Sequence, residues 1–110
     1  MIRILVPFFV VALAGTATAQ DAAKLEKGKQ VYVAQKCQVC HAIGGVGNKR
    51  GVLDDVGARL KEDDIRQWIV AAPEMTAKTK AERKPPMKSY AHLAKDDVDA
   101  LVAYIASLKK

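Results

Sequence analysis

The chain is short of the groups that usually stiffen a small protein. Its 110 residues include two cysteines, two histidines, four prolines, one tryptophan, three tyrosines and two phenylalanines. Cys37 and Cys40 stand three positions apart. A disulfide framework is therefore excluded, because so short a loop removes almost no chain entropy. Both phenylalanines, Phe8 and Phe9, lie near the N-terminus, which leaves Tyr32, Trp68, Tyr90 and Tyr104 as the aromatics available to a later core. No run is apolar enough to span a membrane: Ile4 to Ala14 has 11 residues, against roughly 20 for a spanning helix, and Pro7 interrupts it. The net charge is +6. Its basic residues are scattered without interleaved aromatics, however, which argues against a nucleic-acid partner.

What is present begins with a leader pattern. A basic start (Arg3), the apolar run and the small residues Gly15 to Ala19, ending in Ala17–Thr18–Ala19, have the layout of a secretory signal peptide cleaved after Ala19. Residues 1–19 are thus expected to be an export signal and residues 20–110 one domain. That domain would work in an oxidising compartment, the periplasm, without a membrane span. The alternative is an uncleaved amphipathic N-terminus. A domain of about 90 residues buries only a marginal core. Such domains commonly lean on a bound group for stability, so the chain without one is expected to be largely disordered.

The expected fold class is all-α with long irregular connections. A first helix is predicted over Lys24–Lys36, with Gly28 and Tyr32 four apart on one face. Gly28 costs about 1 kcal/mol against alanine in a helix; it is either a close-packing position or a weak spot near the helix start. Residues Ala42–Gly57 hold five glycines and read as a loop. Ile65, Trp68, Ile69 and Ala72 predict a second helix over about Glu62–Ala71, with acidic residues in its first turn and Pro73 as its stop. Glu74–Ala91 is polar and lysine-rich and reads as extended around Pro85–Pro86. A last helix is predicted over Lys95–Leu108 on the stripe Val98, Leu101, Val102, Ile105 and Leu108. Ala94 stands at its N-cap, where Ser or Thr is expected. No convincing strand is visible.

Cys37–Gln38–Val39–Cys40–His41 carries the chemistry. It is C-x-x-C-H, the attachment sequence of haem c. Two thiols on one turn can add to the two vinyl groups along one haem edge, and the following His41 is then carried under the iron as proximal ligand. A thioredoxin-like dithiol also uses C-x-x-C but needs a preceding strand in a βαβ frame. A zinc site would need four ligands, and Cys37, Cys40, His41 and His92 are the only Cys and His residues, two of them adjacent. The remaining alternative is a chance occurrence in a structural turn.

With these residues the chain resembles a class I, single-haem bacterial cytochrome c over most of Lys24–Leu108. Gly28 and Tyr32 are similar to the glycine–aromatic pair of that family's first helix, and Tyr104 to the aromatic of its last. The resemblance implies that the two helices cross, with the glycine allowing close approach and long loops wrapped around one covalent haem. It also implies a distal ligand, and Met87 after Pro85–Pro86 lies where the family's methionine loop lies, with Tyr90 within hydrogen-bond reach. His92, Met75 and an open site are the alternatives. Trp68 either directs its indole N–H to a haem propionate or packs in the core; Arg50 and Arg59 either pair with propionates or stay solvated. The family often has a proline whose carbonyl accepts the proximal histidine's Nδ1–H. Here Val52 stands at that place, after Arg50–Gly51.

The expected function is therefore one-electron transfer by a periplasmic carrier with His41/Met87 ligation, not enzyme catalysis. Lys36, Lys49, Lys84 and Lys88 would either ring the exposed haem edge and steer an acidic redox partner or merely keep the protein soluble. A haem-based sensor or peroxidase with a labile distal ligand is the rival reading. A thiol–disulfide oxidoreductase is a more distant one.

Overall fold

The computed structural model describes residues 6–8 and 16–110. Most of the expected signal segment, including the run Ile4–Ala14 apart from residues 6–8, lies outside them. Five α-helices are described: α1 (Thr16–Ala34), α2 (Val56–Arg59), α3 (Glu62–Val70), α4 (Ala72–Thr79) and α5 (Lys95–Ala106). Single 3-10 turns cover Cys37–Val39 and Lys49–Gly51. Among the described residues no helix is long and apolar enough to cross a membrane.

α1 and α5 form the frame. Gly28 is buried in their contact. A Cβ placed on it would run into the Ala100 carbonyl oxygen and lie 2.6 Å from Tyr104 Cβ. Its helix-propensity cost is thus exchanged for a backbone-close packing of the two helices. One turn on, Tyr32 meets Tyr104 edge to face, with ring centroids 6.0 Å apart; such a pair is worth about 0.5–1.5 kcal/mol beyond its buried area. Val98, Leu101, Val102 and Ile105 of α5 complete a core with Val31, Val56, Ile65 and Ile69. Asp99 joins α3 to α5, taking Arg66 at 2.8 Å on one oxygen and Lys95 at 2.9 Å on the other. Those hydrogen bonds hold its carboxyl below the ordinary range.

Several boundaries differ from the expectation. α1 starts at Thr16 and runs across the Ala19–Gln20 junction, and it stops at Ala34 because Lys36 turns left-handed (φ 57°). A non-glycine residue in that region is uncommon; here it redirects the chain into the cysteine motif. The glycine-rich stretch is not wholly irregular. It holds a small antiparallel hairpin, β1 (Ala42–Ile43) and β2 (Val46–Gly47), turned by Gly44–Gly45, both at positive φ. Two residues per strand are too few for alternation to be visible in the sequence. The polar segment from Glu74 begins inside α4, a helix the sequence reading did not include, and is without regular structure around Pro85–Pro86. Pro73 ends α3 but sits in the first turn of α4, where its missing N–H costs nothing. The last helix ends at Ala106, and Ala94 caps it with no side-chain bond.

Gly28→Ala is expected to destabilise the protein by about 1–3 kcal/mol in urea unfolding, the usual cost of overpacking. Alanine's better helix propensity acts the other way. A stabilised variant would show that α1 and α5 do not touch there.

Candidate functional site

A cavity of ≈ 540 Å³ opens between the α1–α5 frame and the connections that wrap it. This is within the usual range for small-molecule and cofactor sites. Apolar side chains from three helices and the loop before α2 form its walls: Leu53 and Val56, Ile65 and Ile69, Leu101 and Ile105. Cys37, Cys40 and His41 border it from the turn after α1, Trp68 from α3, and Met87 from the irregular segment before α5. All five residues singled out from the sequence thus meet at one place. The alternatives separate from it. Met75 and His92 do not line the cavity, and His92 is exposed beside Tyr90. Arg59 borders the cavity while pairing with Asp55 at 3.0 Å; Arg50 is exposed and off it. Of the four lysines, Lys36 and Lys88 lie on the rim and Lys49 and Lys84 do not.

The 3-10 turn over the motif folds Cys40 N and His41 N back onto the Cys37 carbonyl, at 3.1 and 2.9 Å. Both thiols and the imidazole therefore face one cavity from a single turn. His41 Nδ1 lies 3.0 Å from the Gly51 carbonyl oxygen. A carbonyl only accepts, so Nδ1 carries a proton; in the neutral ring Nε2 then keeps its lone pair, the form a metal-binding histidine needs. The expected carbonyl bond is present, but its acceptor is Gly51 and not Val52, whose side chain is exposed. Gly51 can come so close because it lacks a side chain: a Cβ there would lie 2.8 Å from His41 Nδ1. Burial lowers the His41 pKa, the Gly51 bond opposes this, and the nearby Arg83 charge adds to the lowering.

Burial pushes the Cys37 thiol up to about 11, with Cys40 adding and a backbone hydrogen bond and Lys88 opposing. Dithiol redox enzymes need the opposite, a lowered thiol pKa. Among the described residues the buried hydroxyl of Tyr32, on the cavity wall, has no hydrogen-bond partner, and neither has Gln38 Oε1, which lies off the cavity. An unpartnered buried hydroxyl beside an apolar cavity points to a polar-edged group that fills it. Arg83 and Thr76 also line the cavity, and the Arg83 guanidinium donates to the Cys40 carbonyl. Neither was indicated by the sequence, because nothing local marks one basic residue of a lysine-rich segment as different from its neighbours.

A helical frame closed around an apolar cavity, with a C-x-x-C-H turn on its wall, defines a c-type cytochrome. The chain belongs to the cytochrome c family, whose sequence model, described as "Cytochrome c", matches residues 25–109. It is 28% identical over 92 residues to cytochrome c oxidase subunit 2 of Alkalihalophilus pseudofirmus, a match that takes in 76% of this chain and 25% of that protein. The chain thus spans about a quarter of the length of that curated relative. No solved structure matches it. Family membership brings haem c binding and haem-based electron transfer with redox partners. The residues present fit that group: two thiols and a neutral imidazole on one wall, a thioether on another segment, apolar faces between them and an unpartnered phenol at the edge.

Burial, with smaller contributions from Cys37, Tyr104 and Asp54, raises the Tyr32 pKa from 10.0 to about 12. The fold thus favours the protonated phenol. The stability this contributes is complete below pH 10 and is lost as pH rises through about 12. Tyr32→Phe should lose less stability over that interval than the parent chain. Denaturant midpoints measured across it would refute the assignment if the two proteins ran parallel.

Proposed function

We propose that the chain is a periplasmic one-electron carrier with one covalent haem c. In this reading residues 1–19 are the export signal and residues 20–110 the cytochrome domain. Cys37 and Cys40 form the two thioether links, His41 Nε2 is the proximal ligand and Met87 Sδ the distal one. Haem c, when bound, supplies a one-electron couple at its iron. The observation that carries this reading is the convergence of Cys37, Cys40, His41 and Met87 on one apolar cavity.

Each group has a distinct task. The Gly51 carbonyl fixes the His41 tautomer and ring orientation. The apolar walls exclude water, which lowers the cost of changing the charge inside. Two protein ligands leave no open position for a substrate, so the site is suited to transfer and not to turnover. Thioether ligation raises the potential relative to two histidines. Lys36 and Lys88 at the rim, with Lys49 and Lys84 further out, provide positive charge for steering an acidic partner. The likeness to an oxidase subunit supports a terminal oxidase as the class of electron acceptor.

Ferric haem-loaded protein should show the weak far-red band of methionine ligation, and Met87→Ala should abolish it and lower the reduction potential. Retention of the band in that variant would exclude Met87. Absence of the band from the parent chain would favour His92 or an open site, and with it sensing or peroxidase chemistry. Steering predicts that electron-transfer rates with an acidic partner fall steeply as salt rises past about 0.1 M, where the screening length is about 10 Å. Flat rates would remove the lysines from the reading.

A further inference from the structure

The segment that carries Met87 has no regular structure, and its two ends are held differently. On the C-terminal side it is tied to the end of α3: Ser89 Oγ donates to the Val70 carbonyl at 2.6 Å, and Tyr90 N donates to the Ile69 carbonyl at 2.8 Å. On the N-terminal side Ala81 N bonds the Thr76 carbonyl at the end of α4. Between these anchors, among the described residues, no backbone hydrogen bond holds positions 82–88. Among the described residues two charged side chains of the segment make specific contacts. Lys88 Nζ sits 5.4 Å from the centre of the Tyr90 ring, a contact within the segment's own C-terminal anchor. Arg83 instead donates to the carbonyl of Cys40, the residue immediately before His41.

Arg83 has a seat prepared for it. A Cβ on Gly51 would collide with both the Arg83 guanidinium and the Cys40 carbonyl. The same absent side chain that lets His41 reach the Gly51 carbonyl therefore also lets Arg83 reach Cys40. One charge-assisted hydrogen bond, four residues before Met87, thus joins the segment to the turn that holds the histidine.

We propose that Arg83 is the latch that keeps Met87 over the cavity: its bond to the Cys40 carbonyl fastens the otherwise unanchored 82–88 segment to the C-x-x-C-H turn, and its release lets Met87 withdraw. Arg83 is a positioning residue that acts through Met87. The proposal rests on Met87 as distal ligand. It extends that reading by placing control of ligand loss at the N-terminal side of the segment, at a contact with the proximal half of the site. Opening would expose one coordination position without disturbing the α1–α5 frame, since neither helix takes part in the bond.

The test uses the haem-loaded full chain, with imidazole as the competitor for the distal position. Arg83→Gln should bind imidazole roughly tenfold more tightly in the ferric state, equivalent to about 1.4 kcal/mol. Arg83→Lys, which keeps the charge but loses the planar fork, should fall between. In a Met87→Ala background Arg83→Gln should have no effect on imidazole affinity, because there is no methionine to displace. Hydrogen exchange should quicken at 82–88 in Arg83→Gln while α1 and α5 keep their protection. Unchanged affinity and exchange would overturn the latch, as would an equal affinity change with and without Met87. If Arg83→Gln fails to load haem, Arg83→Lys carries the same two measurements. Absence of the far-red band in the parent chain would refute the Met87 assignment separately, and exchange at 82–88 would still decide whether Arg83 holds the segment.

Discussion

Because Gly28 has no side chain, the Ala100 carbonyl can occupy the space where a Cβ would stand. That approach joins the first and last helices of the domain, and the rest of the structure follows from it. Once α1 and α5 are locked, the residues between them have to leave the frame and return to it. Their apolar side chains, from Leu53 and Val56 to Ile65 and Ile69, face back toward the frame. The cavity is what remains between the frame and this returning chain. The Tyr32–Tyr104 contact one turn away reinforces the same joint, and the Asp99 bridge to Arg66 brings α3 onto it.

The scarcity of aromatics has its counterpart in this cavity. A chain with four aromatics beyond residue 19 has little bulk with which to fill its middle, and the space is bordered by three of them, Tyr32, Trp68 and Tyr90. The bound group expected in this family would fill the space and would also give the orphaned Tyr32 hydroxyl a polar edge to meet. Stability and function are coupled in such a design, because the same apolar walls that would bury the group also exclude water from it.

His41 illustrates how a backbone detail sets chemistry. The carbonyl that receives its Nδ1–H belongs to a glycine whose missing side chain admits both the imidazole and the Arg83 guanidinium. The proline familiar at the neighbouring position is replaced by Val52, yet the hydrogen bond persists, since any residue offers a carbonyl. What changes is which carbonyl is presented, and this depends on the 3-10 turn over Lys49–Gly51.

Residues that signal through local spacing were legible directly. Cys37, Cys40 and His41 define their chemistry within five positions. The 3.6-residue stripe of α5, the acidic start of α3 and the Gly28–Tyr32 pair declare helices and a contact face by spacing alone. Met87 was singled out by Pro85–Pro86 and the family pattern, and it lies on the cavity wall. Tertiary structure alone decided what depends on distant segments meeting. It placed Pro73, the expected stop of α3, in the first turn of a further helix α4, assigned the His41 acceptor to Gly51, separated Met75 and His92 from the cavity and brought Arg83 to the Cys40 carbonyl across 43 positions. The reason is physical: a covalent motif and a helical period are properties of neighbouring residues. The partner of a long, mobile guanidinium or the choice between two adjacent carbonyls is set only when the chain has closed on itself.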